Sequence, residues 1–265
     1  MAKTLKDWVA TDVRRVRGRS IRWLSEHYFF RDPLRPVLMD SRFLFAPADG
    51  VILYQRRVRP DEPLLEIKGR PYSVRDALRD ESYGAECLVI GIFMTFYDVH
   101  VNRVPYAGFL NWRELDPLET NNRPMLDMET ALLEELDILP ETAGYLHVNQ
   151  RVVNRIDSPR LGRSYHVLQV ADYDVDCVTP FELKQNVPFS QNCRFSQIRY
   201  GSQVDLIVPL GGGLDFEFVQ RPGLHVEAGR DTLLRIDGLA EDHPISLPVA
   251  APAAAAGPRP RRTSR

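Results

Sequence analysis

Residues 197–209 read "QIRYGSQVDLIVP". Ile198 and Tyr200 alternate with polar neighbours, and Val204, Leu206 and Val208 resume that alternation, the period of a half-buried strand. Gly201 and Ser202 interrupt it. A glycine inside a strand pattern weakens the strand and marks a bulge or a close approach of backbone. Taken alone, the step reads as a β-bulge within one strand. A chemical use for the Gly-Ser pair needs support from elsewhere in the chain.

Outward from this stretch, "VILYQRRV", "LLEIKG", "CLVIGIFM", "YLHVNQRVVNRI", "YHVLQVADYDVDCV", "LDFEFV" and "LLRI" are further β-rich runs separated by turn residues. "VEAGRDTLLRI" has the form of a hairpin, and residues 127–138 form an acidic helix or loop insertion. The fold class expected is mainly β, sandwich or barrel-like, with an N-terminal amphipathic helical segment. Residues 4–30 carry a helical period, with Leu5, Trp8, Val13, Ile21, Leu24 and Tyr28 near one side and arginines on the other. Such a helix either lies among lipid headgroups or packs on the body of the protein. The organisation expected is a basic helical segment over 1–37, a β-rich catalytic domain over 38–247 and a disordered Pro/Ala/basic tail over 248–265.

The chain has 265 residues and a formal net charge of −2, with no overall nucleic-acid signature. The first 35 residues differ, holding nine Lys/Arg against four acids, so any attraction to anionic surfaces is local. Cys87, Cys177 and Cys193 have no metal-ligand spacing and read as reduced thiols. No metal site is expected. No signal peptide or membrane-spanning stretch is apparent, so the expected location is cytoplasmic and peripherally membrane-associated.

Two other stretches could carry chemistry. In "FAPADGVIL", residues 45–53, Asp49-Gly50 reads as a tight turn feeding a strand. In "IFMTFYDVHVNRVPYAG", residues 92–108, an apolar strand runs into Asp98, His100, Asn102 and Arg103. A histidine at a strand end is commonly structural, and no hydrolase elbow, Walker loop or zinc cluster accompanies it. The order is nonetheless distinctive: a turn aspartate, a histidine after a buried strand, then Gly-Ser.

On these three stretches, with a weaker match at "LQVA" (168–171), the sequence resembles the pyruvoyl-dependent phosphatidylserine decarboxylases over about residues 43–235. The resemblance implies self-cleavage between Gly201 and Ser202. The Ser202 hydroxyl attacks the Gly201 carbonyl, the resulting ester is eliminated, and the dehydroalanine left behind hydrolyses to a pyruvoyl group with loss of ammonia. That covalent cofactor, derived from Ser202, then serves as an electron sink for decarboxylation. His100 matches the family histidine linked with decarboxylation, and Asp49 the turn aspartate linked with processing.

The chain departs from the longer members at Arg103, where they carry a second histidine, and at Gln203. The processing base is thereby left open among His100, His166 and His225. The activity implied is conversion of phosphatidylserine to phosphatidylethanolamine and CO2. Implied partners are a phospholipid substrate, a membrane surface and the two self-cleaved chains for one another, with a homo-oligomer possible. A decarboxylase of a soluble amino acid or metabolite, and a non-catalytic β-sandwich module, are the alternatives.

Overall fold

The computed structural model describes residues 1–174 and 176–239. Its centre is a nine-stranded antiparallel sheet in the order Lys3–Thr4, Leu224–Val226, Gly50–Val58, Cys87–Met94, Ser202–Pro209, Arg163–Ala171, Arg151–Ser158, Gly108–Leu115 and Val187–Phe189. The chain is mainly β, as its pattern of short runs implies. Val89 and Phe93 of the Cys87–Met94 strand join a core cluster distinct from the one that takes Leu88, Ile90 and Ile92. A strand covered on both faces has no reason to alternate, hence the unbroken apolar run "CLVIGIFM".

The stretch 197–209 is not one bulged strand. Arg194–Ile198 lies between Val178–Pro180 and Val101–Arg103 in a separate three-stranded sheet, whereas Ser202–Pro209 enters the large one. Residues 199–201 form the corner between them. Both halves alternate with period two, and periodicity cannot register a change of partner strand.

For the same reason "VEAGRDTLLRI" is not a hairpin. Leu224–Val226 pairs with Gly50–Val58, while Thr232–Asp237 lies between Asp215–Phe218 and Phe43–Phe45 in another sheet. In "YLHVNQRVVNRI" the first residues belong to a 3-10 helix, Pro140–His147, and the strand begins at Arg151. The acidic insertion forms helix Leu126–Thr130, continued by a π turn, Ala131–Glu135.

The N-terminal period resolves into pieces. Helix Leu5–Thr11, capped by Thr4, is followed by a 3-10 turn at Val13–Arg15 and by helical turns at Ile21–Trp23 and Leu24–Tyr28. Lys3–Thr4 joins the edge of the large sheet, and buried Trp8 stacks on His225 with ring centroids 4.3 Å apart. Arg31 and Arg35 also turn inward, Arg31 donating to the Tyr97 and Asp98 carbonyls at 2.6 and 3.0 Å. The segment before residue 37 is thus tied to the body of the protein through Leu5, Trp8, Val13, Phe29, Arg31 and Arg35, while Phe30 and Leu34 stay exposed. The expected tail over 248–265 lies outside the described residues.

Candidate active site

The corner at 199–201 combines a strained, exposed residue with a buried end. Tyr200 has φ +68°, a left-handed conformation that costs a non-glycine residue about 1–3 kcal/mol. Gly201 follows, and Ser202, fully buried, begins the next strand. Its Oγ lies 3.3 Å from Met94 Sδ, the residue opposite it across the sheet. The hydroxyl therefore sits among apolar atoms with a thioether, a weak acceptor, as its partner.

On the other side of Ser202, Ala171 is its register partner, which sets the next residue, Asp172, beside Gly201. A Cβ built on Gly201 would stand 2.9 Å from Asp172 Oδ2, so a side chain here would have to displace that carboxyl. Asp172 Oδ1 accepts the Met125 amide at 2.8 Å, which fixes the carboxyl. Burial pushes its pKa up to about 6, against the opposing bond from Met125. A carboxyl that titrates near pH 6 thus lies beside Gly201. Beside it opens a cavity of about 500 Å³, largely apolar, lined by Phe96, Pro124, Leu126, Tyr173 and Tyr200 as well as Asp172.

His100 is held by a braced loop. Asp98 accepts the Thr95 amide and hydroxyl, both at 2.8 Å, and its other oxygen lies 2.6 Å from His225 Nε2. Burial opposes ionisation of Asp98, but His225 and the two Thr95 bonds hold its pKa below the usual carboxylate value. His100 Nε2 donates to the Thr95 carbonyl at 2.9 Å, which leaves the lone pair on Nδ1. Among the described residues that Nδ1 is buried without a hydrogen-bond partner. Burial pushes the imidazole down to about pKa 4, so it is neutral near pH 7. Phe29 stacks on the ring at 4.0 Å and also contacts Tyr200, so one aromatic cluster spans the histidine and the corner.

Asp49 is bound differently. Its carboxylate receives Arg35 through two bonds of 2.6 Å and the Ala228 amide at 2.8 Å. Val51, two residues on, pairs with Phe93, so Asp49 lies at the sheet end that holds Met94 and Ser202. Gln203, the other departure, joins a buried network: it donates to Tyr54 at 2.9 Å and to Asp205 at 2.7 Å, and accepts from Tyr145 at 2.7 Å.

Ser202, Gly201, Asp49 and His100 thus gather at one end of the large sheet. Among the described residues no hydrogen bond joins Ser202 Oγ to His100, His166, His225, Asp49 or Asp172; Asp172 stands out because its carboxyl lies against Gly201. Arg103 donates to the Asn192 carbonyl at 3.0 Å and approaches Asp32 at 3.8 Å, a structural use. The acidic group nearest the scissile pair, Asp172, is one that sequence reasoning passed over. "VADYDVD" shows three acids, but only the strand register singles out the first.

Comparison with known proteins finds relatives over most of the chain. The family described as phosphatidylserine decarboxylase matches residues 27–233. A phosphatidylserine decarboxylase proenzyme of Novosphingobium aromaticivorans is 32% identical over 183 residues, 69% of this chain and 62% of that protein. The proenzyme of Symbiobacterium thermophilum is 28% identical over 209 residues, 79% of this chain and 78% of its own length. A putative archaetidylserine decarboxylase proenzyme of Methanothermobacter thermautotrophicus is 28% identical over 181 residues, 68% of this chain and 69% of that one. The matched part spans under two thirds of the first relative's length.

Proposed function

The chain belongs to the phosphatidylserine decarboxylase family, and on that premise we propose that it is a self-processed, pyruvoyl-dependent decarboxylase of phosphatidylserine, releasing CO2 and phosphatidylethanolamine. The observation that carries this reading is the strained corner at Gly201–Ser202, with the Asp172 carboxyl against it. In processing, the Oγ–C bond forms as the Gly201 C–N bond breaks. Asp172 takes the Oγ proton and returns it to the departing nitrogen. Loss of the Ser202 α-proton then breaks the Cβ–Oγ bond and frees the Gly201 carboxylate, and water hydrolyses the dehydroalanine left at residue 202 to the pyruvoyl group with release of ammonia.

The pocket around Ser202 suits a small uncharged group, since Met94 offers apolar atoms and no charge. The pyruvoyl group, once present, supplies the electron sink for decarboxylation. His100 is the residue assigned to the proton: neutral near pH 7, its Nδ1 lone pair takes the proton that the substrate's ammonium sheds and returns it to the product carbon. Asp49 keeps Arg35 and the backbone at Ala228 in place around this sheet end. After the cut, Ser202–Pro209 stays paired with Cys87–Met94 and Arg163–Ala171, both from the other fragment, so the two chains remain one fold.

A lipid substrate is favoured by the apolar cavity beside Gly201 and by the exposed Phe30, Leu34, Val37, Leu38 and Met39. Leu34 at 97% and Met39 at 69% exposure suit contact with a bilayer interface. No helix among the described residues is long and apolar enough to cross a membrane. The test is CO2 release from phosphatidylserine in mixed micelles against free serine and glycerophosphoserine. Release from the micelles alone supports the lipid reading, and equal release from glycerophosphoserine refutes it.

A further inference from the structure

At the other end of the large sheet a cleft of about 710 Å³ lies between Leu78, Tyr83, Trp112 and His166. Ala171 pairs with Ser202, and His166 is five residues back along the same strand, roughly 17 Å away at 3.4 Å per residue. The cleft is therefore separate from the candidate active site.

Its polar lining is unbalanced. Arg79, Arg113, Arg155 and Arg163 line it, against a single carboxylate, Asp80. Arg155 is paired with Asp157 at 2.8 Å. The other three bond only to neutral carbonyls: Arg79 to Val148 and Asn149 at 3.2 and 2.9 Å and to Asp116, Arg113 to Leu78 at 2.6 Å, and Arg163 to Pro209 at 2.6 Å and to Leu161 and Gly211. Among the described residues no carboxylate forms a salt bridge with these three.

Unmet hydrogen bonds concentrate in the same place. Of eight buried side-chain polar atoms without a partner among the described residues, four line this cleft: Arg79 Nε, Tyr83 Oη, Trp112 Nε1 and His166 Nδ1. Tyr83 faces only the Cys87 thiol, a weak acceptor. Arg79 Nε and Trp112 Nε1 can only donate, and buried donors ordinarily find acceptors, so beside three guanidiniums they point to a missing group rich in oxygen. Burial, then Arg155 and Arg113, push the His166 imidazole down to about pKa 4.

We infer that this cleft binds a phosphate ester, its phosphate oxygens taken by the Arg79, Arg113 and Arg163 guanidiniums and the Trp112 indole. Guanidiniums match phosphate oxygens in charge and geometry. A bare phosphate fills little of 710 Å³, so the ester carries an organic part that lies against Leu78 and the Tyr83 and Trp112 rings.

The test is calorimetric titration of the full chain at constant ionic strength with inorganic phosphate and with glycerol 3-phosphate, beside sedimentation with phosphatidylglycerol and phosphatidylcholine vesicles. Saturable binding of glycerol 3-phosphate, tighter than that of phosphate, is expected. Arg113→Gln and Trp112→Phe should each weaken it at least threefold, with the thermal midpoint in phosphate-free buffer and self-cleavage unchanged. Binding to phosphatidylglycerol vesicles alone, lost in the same variants, would make the ester a lipid headgroup. Binding that ignores both substitutions, or no saturable binding of any probe, overturns the inference.

Discussion

Replacing Asp172 with asparagine keeps the side chain's shape and its acceptor for the Met125 amide, and removes only the titratable charge. If Asp172 carries the proton from Ser202 Oγ to the departing nitrogen, Asp172→Asn should slow processing about 10²–10⁴-fold, the usual contribution of a positioned acid–base group. That corresponds to roughly 3–5 kcal/mol of barrier. The basic form does the work, so the wild-type rate should climb about tenfold per pH unit up to about pH 6 and level off above it. The variant should lack that inflection.

Stability should move the opposite way. Because the folded-state pKa of Asp172 is raised from 3.8 to about 6, the stability linked to its proton is present below pH 3.8 and lost as pH rises through 6. A shift of this size is worth about 3 kcal/mol, so Asp172→Asn should equal or exceed the wild type in urea unfolding at pH 8. The assay is intact-mass spectrometry over time after refolding, at pH values from 5 to 8. An Asp172→Asn protein that cuts at the wild-type rate with the same pH profile would refute the reasoning.

Gly201→Ala would place a methyl group 2.9 Å from Asp172 Oδ2, and should cost about 1–3 kcal/mol in urea unfolding and slow the cut. His100→Gln should leave cut protein that has lost decarboxylation, read as CO2 release per cut chain. Its unfolding should also lose the part of the acid sensitivity that the wild type shows between about pH 6.5 and 4, where only the unfolded histidine takes up a proton. Replacing Leu34, Val37 and Met39 together by serine should reduce sedimentation with phosphatidylserine vesicles while sparing the thermal midpoint, since all three are exposed.

The mainly β class was legible because short apolar runs and turn residues survive in the sequence whatever the strands pair with. Partner choice was not: Ile198 and Val204 alternate alike yet belong to different sheets, so the corner at 199–201 reads as a bulge until the registers are known. His100, Asp49 and Ser202 could be singled out by residue type and order, and they do fall at one end of the sheet. Asp172 could not, because its place beside Gly201 follows from the Ala171–Ser202 pairing. The N-terminal period could not say which residues would be buried, because a period that fits a lipid interface also fits a protein core; Trp8 went to the core, while Leu34 and Met39 stay exposed.

The central claim is that the chain cuts itself between Gly201 and Ser202, and an intact-mass spectrum of freshly purified protein tests it most directly. Two chains, 1–201 and 202–265, are expected from the wild type, the shorter beginning with a carbonyl that reacts with a hydrazide probe. Ser202→Ala should give one uncut chain. A single uncut wild-type chain that releases CO2 from phosphatidylserine, or a cut at any other bond, would contradict the account.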